Sequence, residues 1–333
     1  MAHAPVDDRP KRVGLVLGGG GTVGAAFHAG VLAALQHDLG WDARTAEVVV
    51  GTSAGSLVGG LVRLGVPPDD LAAMTVGATA RASHPAVVAA LQERPELPPF
   101  TLRHLLRRPR IPGPSAALGL AGLALRRGPA GLASLSMLLP DGAEQLGPHL
   151  GFFDEALGRR WPEDVLLVCA TRRRDCRRSV FGNGGLAAPL SEAVAASCAV
   201  PGYFRGIDID GHCHVDGGVI SATNADVLRR HDVDLAVVVS PMTGPSGGPS
   251  VGAAIRAVCR RVLDAERAVL RRHGIPSVVI EPGPEVLEHL TTDFMSDEAL
   301  SDIVRCAFLE TGAQVLRDAE LSALRAARVP AAA

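Results

Sequence analysis

The chain is poor in aromatic residues and carries little net charge. Only 3% of its 333 residues are Phe, Trp or Tyr, whereas 47% are hydrophobic. Its core must therefore be built largely from Ala, Leu and Val, and the length is sufficient to bury a sizeable one. The formal net charge of −2 argues against a general nucleic-acid binder, which would need a surplus of basic residues.

Paired cysteines and long apolar runs are also missing. The six cysteines show no C-x-x-C spacing, which predicts reduced thiols of an intracellular protein. The opening residues MAHAPVDDRP predict a flexible N-terminus and lack the apolar stretch of a signal peptide. No run approaches the roughly 18 apolar residues of a membrane span. We therefore expect a cytoplasmic protein, soluble or peripheral on the inner membrane face.

Short apolar segments alternate with helical stretches along most of the chain. The strand candidates are 12–17, 46–50, 165–170, 178–181, 234–239 and 276–281. The helix candidates are 24–37, 54–64, 69–80, 190–199, 251–273 and 298–325. This alternation predicts an α/β fold with a mostly parallel central sheet and helices on both faces. Residues 207–215 predict a hairpin that turns at Asp210-Gly211.

The stretch 97–150 differs from its surroundings because it is rich in proline, glycine and leucine. Between 97 and 140 it contains six arginines and no acidic residue. We predict a helical, Pro-rich insertion that could serve as a lid. Short amphipathic helices within 97–140 would be attracted to an anionic membrane surface. A helical subdomain packed on the core is the alternative, and the residues do not decide between the two.

A glycine loop, Gly18-Gly19-Gly20-Gly21-Thr22-Val23-Gly24, follows the first strand. It contains G-x-G-x-x-G, but a dinucleotide site needs an acidic residue at the end of the second strand, which is absent here. A P-loop needs Lys-Ser/Thr after its last glycine, where Ala25-Ala26 stand. The remaining interpretation is an oxyanion hole, since adjacent amides at a helix N-terminus can converge on one negative charge.

Gly51-Thr52-Ser53-Ala54-Gly55 lies between an apolar strand and a helical stretch. A G-x-S-x-G sequence in this context is typical of the nucleophile elbow, a tight turn that lifts a serine hydroxyl clear of the sheet. Glycines on both sides allow the close approach of strand and helix. An ordinary serine that caps the helix is the alternative, and the nearby glycine loop favours the nucleophile.

The residues alone leave the base for Ser53 open. Asp216-Gly217-Gly218 follows the hairpin, but an aspartate there could equally be an ordinary turn residue. A triad would need a histidine, and those downstream lie in no recognisable catalytic context: His212, His214, His231, His273 and His289. Alternation along a strand separates Cys213 from its two neighbouring histidines, which leaves too few ligands for a metal.

Together, GGGTVG at 19–24, GTSAG at 51–55, DGG at 216–218 and the block 195–204 resemble the patatin-like phospholipases. These are serine lipid acyl hydrolases that use a Ser–Asp dyad. The resemblance covers about residues 12–240 and implies Ser53 as nucleophile and Asp216 as base. It implies no cofactor, no metal and a lipid or ester substrate. It assigns the oxyanion hole to the amides of Gly19, Gly20 and Gly21, with supporting glycines at Gly24, Gly51, Gly55, Gly217 and Gly218.

The resemblance also sets expectations for the whole chain. A catalytic domain at 12–240, interrupted by 97–150, would follow a flexible N-terminus at 1–11, and 241–333 would complete the same domain. Many family members carry Arg or Lys before the last loop glycine, where this chain has Val23. That departure weakens the expectation of a phospholipid preference more than that of hydrolysis. The alternative function is a lipid-binding or regulatory protein of the same fold with little turnover.

Overall fold

A computed structural model describes residues 11–81, 85–92, 141–245, 251–290, 295–322 and 324. Residues 1–10 and the basic segment 97–140 lie outside these described residues. The predictions of a flexible N-terminus and of a membrane-contacting lid therefore remain predictions.

Eight strands of the described chain form one sheet with the order β5-β6-β3-β2-β1-β7-β8, and β4 also pairs with β3. Pairing is parallel from β3 through β2, β1 and β7 to β8, and antiparallel at β3–β4, β3–β6 and β5–β6. The predicted α/β fold with a mostly parallel sheet is confirmed. The strands are β1 Val13–Leu17, β2 Val48–Thr52, β3 Val165–Arg172, β4 Arg177–Gly182, β5 Ile207–Ile209, β6 His212–Asp216, β7 Leu235–Val239 and β8 Ser277–Ile280.

Helices cover both faces of this sheet, as the alternating side chains of its buried strands require. Leu15 and Leu17 of β1 belong to the core that contains residues of α1, α2, α6 and α9, whereas Val16 packs in a second core with Leu263 and Leu270 of α7. The α-helices of the described chain are α1 Gly21–Ala34, α2 Ala54–Arg63, α3 Pro68–Thr75, α4 Pro85–Gln92, α5 Gly151–Leu157, α6 Leu190–Ser197, α7 Val251–Arg272, α8 Pro284–His289, α9 Leu300–Val315 and α10 Ala319–Ser322.

Some element boundaries differ from the sequence prediction. Helix α1 begins at Gly21 rather than at residue 24 because the glycine loop passes directly into the helix. The predicted helix 298–325 is divided into α9 and α10, and α4, α5 and α8 were not predicted. The hairpin turn is confirmed, with φ angles of 50° at Asp210 and 70° at Gly211.

Residues 141–150, which the sequence assigned to the insertion, lie against the core. The amide of Gly142 donates a hydrogen bond to the carbonyl oxygen of Phe204 at 3.1 Å. The amide of Arg205 donates to the carbonyl oxygen of Glu144 at 2.9 Å, and Arg173 forms an ion pair with Asp141. This part of the stretch is therefore fastened to the segment between α6 and β5.

Two further expectations concern cysteines and membrane spans. All six cysteines are unpaired. Among the helices in the described part of the chain, none combines the length and the apolar character that a membrane crossing requires.

Candidate active site

Strand β3 brings two distant parts of the chain to one point. Thr52, the last residue of β2, pairs with Cys169, and Asp216, the last residue of β6, pairs with the next residue, Ala170. β2 runs parallel to β3 and β6 runs antiparallel to it, on the other side of β3. The last residues of β2 and β6 therefore lie next to neighbouring residues of β3. Ser53 follows β2 directly, so the register of β3 places it beside Asp216.

Ser53 occupies a strained turn between β2 and α2. Its backbone angles are φ 51° and ψ −126°, a region in which a residue with a side chain costs roughly 1–3 kcal/mol. Local hydrogen bonds hold this conformation. The Ser53 amide donates to Ser197 Oγ at 2.8 Å, whose hydroxyl donates to the carbonyl of Cys169 at 2.6 Å. The carbonyl of Ser53 accepts the amide and the hydroxyl of Ser56, both at 2.7 Å.

The two glycines of the elbow have a steric explanation. A Cβ atom at Gly51 would lie 2.5 Å from the Cα atom of Ser56, and one at Gly55 would lie 2.0 Å from the carbonyl oxygen of Leu17. The start of α2 therefore rests directly on the end of β1, as a nucleophile elbow requires.

Ser53 and Asp216 form a direct hydrogen bond. The hydroxyl of Ser53 donates to Asp216 Oδ2 at 2.7 Å, and the amide of Gly218 donates to Asp216 Oδ1 at 2.7 Å. Ser53 is 7% exposed and Asp216 is 6% exposed. Burial raises the pKa of Asp216 to about 6, against the two hydrogen bonds that lower it. Gly217 is required by close approach, since a Cβ atom there would lie 2.2 Å from the carbonyl oxygen of Cys169.

Among the residues that the structure describes, no histidine stands between Ser53 and Asp216. Three of the downstream histidines make hydrogen bonds elsewhere: His212 to the carbonyl of Asp210, His214 to the hydroxyl of Ser179, and His273 to the carbonyl of Val269. The direct Ser–Asp contact can move a proton from the hydroxyl to the carboxylate without an intermediate group.

The glycine loop borders Ser53. A Cβ atom at Gly19 would lie 3.2 Å from Ser53 Cβ. The Gly19 amide already donates to the carbonyl of Ala222 at 2.8 Å, so it is engaged in this conformation. The amides of Gly20 and Gly21 stand at the N-terminus of α1, where a helix offers no i−4 carbonyl to its first donors. These two amides can therefore serve an anion.

Gly24 and Val23, at the end of the glycine loop, have different surroundings from Gly19. At Gly24 the nearest neighbour of an added Cβ atom would be Pro241 at 3.6 Å, so a methyl group would fit. Val23 is 2% exposed and packs in the core. A narrow cleft beside Gly20 and Val23 is also lined by Arg256 of α7, which places a cation on this side of the loop.

A network of buried hydrogen bonds contacts the elbow at Thr52. Asn224 Nδ2 donates to Thr52 Oγ1 at 3.0 Å, next to Ser53. The neighbouring Thr223 donates its hydroxyl to Glu266 Oε2 of α7 at 2.6 Å, and Arg178 lies 3.6 Å from the other carboxylate oxygen. Burial raises the pKa of Glu266. The sequence analysis missed Glu266 altogether.

Sequence reasoning also missed Ser197 and His28. Ser197 belongs to the block 195–204 that supported the resemblance, but nothing in that block indicated a bond to the Ser53 amide. His28 is the one titratable residue in the apolar run Ala25-Ala26-Phe27-His28-Ala29, which is the signal that could have found it. In the structure it is fully buried and contacts the carbonyl of Gly18 at 2.7 Å.

Comparison with known proteins places the chain in a family. Residues 15–229 match the family model described as Patatin-like phospholipase, whereas a comparison with curated proteins finds no match. VipD from Legionella pneumophila is similar in structure with a TM-score of 0.44 at 17% identity, over 92% of this chain and 67% of VipD. The type III effector ExoU is similar with a TM-score of 0.35 at 18% identity, over 92% of this chain and 53% of ExoU. This chain therefore spans about half the length of ExoU. Because the family match extends over more than half of its residues, this chain belongs to the patatin-like phospholipase family.

Proposed function

We propose that the protein is a serine-type lipid acyl hydrolase that cleaves carboxylic esters through an acyl-Ser53 intermediate. The observation that carries this proposal is the 2.7 Å hydrogen bond from Ser53 Oγ to Asp216 Oδ2 in a buried elbow. Family membership supports lipid esters as the substrate class.

In the first half-reaction, Ser53 Oγ attacks the carbonyl carbon of the ester while its proton moves to Asp216. An ordinary aspartate, with a pKa near 4, is a weak base for a hydroxyl group. Burial raises the pKa of Asp216 to about 6, which makes it a better proton acceptor that is still ionised at neutral pH. The alcohol then leaves with the proton from Asp216, and the acyl group stays on Ser53.

The developing oxyanion is stabilised by the amides of Gly20 and Gly21, aided by the N-terminal end of the α1 dipole. We do not include the Gly19 amide among the oxyanion donors, because it already donates a hydrogen bond to the carbonyl oxygen of Ala222. In the second half-reaction, Asp216 takes a proton from water while the water oxygen attacks the acyl carbon. The bond between the acyl carbon and Ser53 Oγ then breaks, Asp216 returns the proton to Ser53 Oγ, and the carboxylic acid leaves.

A fluorophosphonate probe tests the activated serine. We expect wild type to be labelled at Ser53, and Ser53→Ala and Asp216→Asn to lose labelling by about 10⁴-fold or more in rate. Ser191→Ala is the matched control, since Ser191 is also buried but bonds to Asp154. Labelling of Ser53→Ala at the wild-type rate would disprove the nucleophile. A wild type that is not labelled would favour the lipid-binding alternative.

Incubation with a total lipid extract tests the substrate class. Wild type is expected to release fatty acids that Ser53→Ala does not, and mass spectrometry of the depleted lipids would identify the head group. If wild type hydrolysed only short soluble esters, the lipid part of the proposal would be wrong although the serine chemistry stood.

A further inference from the structure

We propose that His28 is a positioning residue that holds the oxyanion loop in place by fixing the Gly18–Gly19 peptide group. This inference rests on the proposed function, because it concerns how Gly20 and Gly21 are aligned for catalysis.

The first observation is the contact of His28 itself. His28 lies on α1, is 0% exposed, and its Nε2 is 2.7 Å from the carbonyl oxygen of Gly18. A carbonyl oxygen only accepts hydrogen bonds, so Nε2 carries the proton and donates. Within the described part of the chain, the other ring nitrogen, Nδ1, is buried without a hydrogen-bond partner. A neutral imidazole with one orphaned nitrogen is costly compared with an apolar residue at this position, so packing alone does not explain it.

The second observation concerns the N–H of the same Gly18–Gly19 peptide group. The amide of Gly19 donates to the carbonyl of Ala222 at 2.8 Å, and the amide of Gly18 donates to Val239 at 2.9 Å. A peptide group is planar, so binding its oxygen to His28 and its N–H to Ala222 fixes the orientation of the plane. The next two amides along the chain are those assigned to the oxyanion.

His28 is not a proton carrier in this arrangement. Its Nε2 proton is committed to a backbone carbonyl rather than to Ser53 or Asp216, whose own hydrogen bond is direct. Burial lowers the pKa of His28 to about 4, so the ring is neutral at neutral pH.

Loss of the His28 donor should leave the Gly18 carbonyl free to turn and the loop free to shift. Because the loop amides are assigned to the oxyanion, a shift of the loop should weaken binding of the transition state more than binding of the substrate. A misplacement of about 1 Å costs about 10²-fold in rate, and a whole oxyanion donor is worth about 10²–10³-fold. The effect should therefore fall on kcat and leave KM nearly unchanged.

Three substitutions separate this role from simple packing. His28→Gln can place an amide nitrogen where Nε2 stands, whereas the shorter His28→Asn cannot reach Gly18, and His28→Leu fills the space without a donor. The measurements are kcat and KM with p-nitrophenyl butyrate, and inhibition by an alkyl trifluoromethyl ketone, which forms a tetrahedral oxyanion on serine. Circular dichroism melting identifies any variant that fails to fold.

We expect His28→Leu and His28→Asn to lose about 10- to 100-fold in kcat with little change in KM, and to bind the ketone more weakly by a similar factor. His28→Gln should recover most of both. If His28→Leu does not fold, the comparison of His28→Gln with His28→Asn decides. Folded variants that all keep wild-type kcat, or that all lose it equally, would overturn the proposal. A wild type that neither hydrolyses the ester nor reacts with fluorophosphonate would overturn the proposed function and this role together.

Discussion

Glu266 Oε2 accepts the hydroxyl of Thr223 at 2.6 Å and the amide of Ala225 at 3.0 Å. Glu266 belongs to α7, which covers the opposite face of the sheet from α2. Between Thr223 and Ala225 lies Asn224, which donates a hydrogen bond to Thr52 beside Ser53. The Glu266 carboxylate therefore holds the loop 223–225, which contacts the elbow, although Glu266 itself does not contact Ser53 or Asp216.

Glu266→Ala should destabilise the protein and disturb the site. The substitution leaves the Thr223 hydroxyl and the Ala225 amide buried without their acceptor, at a cost of about 3 kcal/mol. Urea unfolding measures the change in the free energy of unfolding. Asp264→Ala on the same helix is the control, because the side chain of Asp264 is 56% exposed. Equal effects of the two substitutions would contradict the anchoring role.

Gly55→Ala and Gly24→Ala should have opposite outcomes, although both glycines belong to signature motifs. A methyl group at Gly55 would lie 2.0 Å from the Leu17 carbonyl oxygen, so α2 and Ser53 must shift. We expect a loss of at least about 1–3 kcal/mol and of fluorophosphonate labelling. At Gly24 the methyl group fits, and alanine favours the helix by up to about 1 kcal/mol. Labelling of Gly24→Ala should persist, and its failure would show that Gly24 serves more than packing.

The rate of labelling at Ser53 should fall in acid. In the proposed mechanism Asp216 acts as a base only when ionised, and its pKa is raised to about 6 by burial. The rate should therefore rise with pH through about 6 and be about tenfold slower at pH 5 than at pH 8. A histidine could give a similar profile, so His214→Gln is the control: His214 is buried two residues before Asp216 on β6. The profile should survive that substitution, and its loss would indicate a catalytic histidine.

The local features of the fold and site were readable from the sequence. Apolar runs predicted the strands, the G-x-S-x-G context predicted the elbow at Ser53, and Asp210-Gly211 predicted the hairpin turn. Each of these depends on neighbours within a few residues, where backbone preference and periodicity act. The start of α1 was misplaced because glycines suggest a loop, whereas here the tertiary structure carries them into a helix.

The long-range contacts that assemble the site were not readable from local patterns, and only the resemblance to a known family implied that Ser53 is paired with Asp216. Ser53 and Asp216 are 163 positions apart, and they meet through the register of β3, which no local pattern specifies. Ser197, His28 and Glu266 escaped notice for a related reason. Each of them bonds to a backbone atom, respectively the Ser53 amide, the Gly18 carbonyl and the Ala225 amide. A backbone amide or carbonyl is present whatever the residue type, so the sequence does not indicate which position is the hydrogen-bond partner.

Anionic membranes should bind the protein through the basic segment 97–140. Its six arginines without an acidic residue concentrate positive charge, and each is worth about 1 kcal/mol near an anionic surface. We expect co-sedimentation with phosphatidylserine vesicles but not with neutral phosphatidylcholine vesicles, and release by salt. Replacement of Arg103, Arg107, Arg108, Arg126 and Arg127 by Gln should weaken binding. Binding that is unaffected by this replacement or by salt would exclude the electrostatic contact.

Asp216→Asn should abolish hydrolysis and yet stabilise the fold at pH 8. The folded protein holds the Asp216 proton up to about pH 6, whereas an ordinary aspartate releases it near 3.8. Between these two values the folded state binds more protons than the unfolded state, so stability falls as pH rises through this window. Above pH 6 the full cost of the buried charge remains, roughly 3 kcal/mol for a shift of about two pKa units.

Asparagine carries no charge, so Asp216→Asn removes that cost. The amide oxygen can still accept the Gly218 amide, and the amide nitrogen can donate to Ser53 Oγ. We expect urea unfolding to show the variant more stable than wild type by roughly 1–3 kcal/mol at pH 8, with the difference vanishing as pH falls towards 4. Asp264→Asn, at an exposed position, should show no such pH-dependent gain. A variant that is less stable than wild type at pH 8 would mean that the ionised carboxylate is stabilised by its hydrogen bonds more than burial penalises it, and Asp216 would then be a weaker base than the proposed mechanism needs.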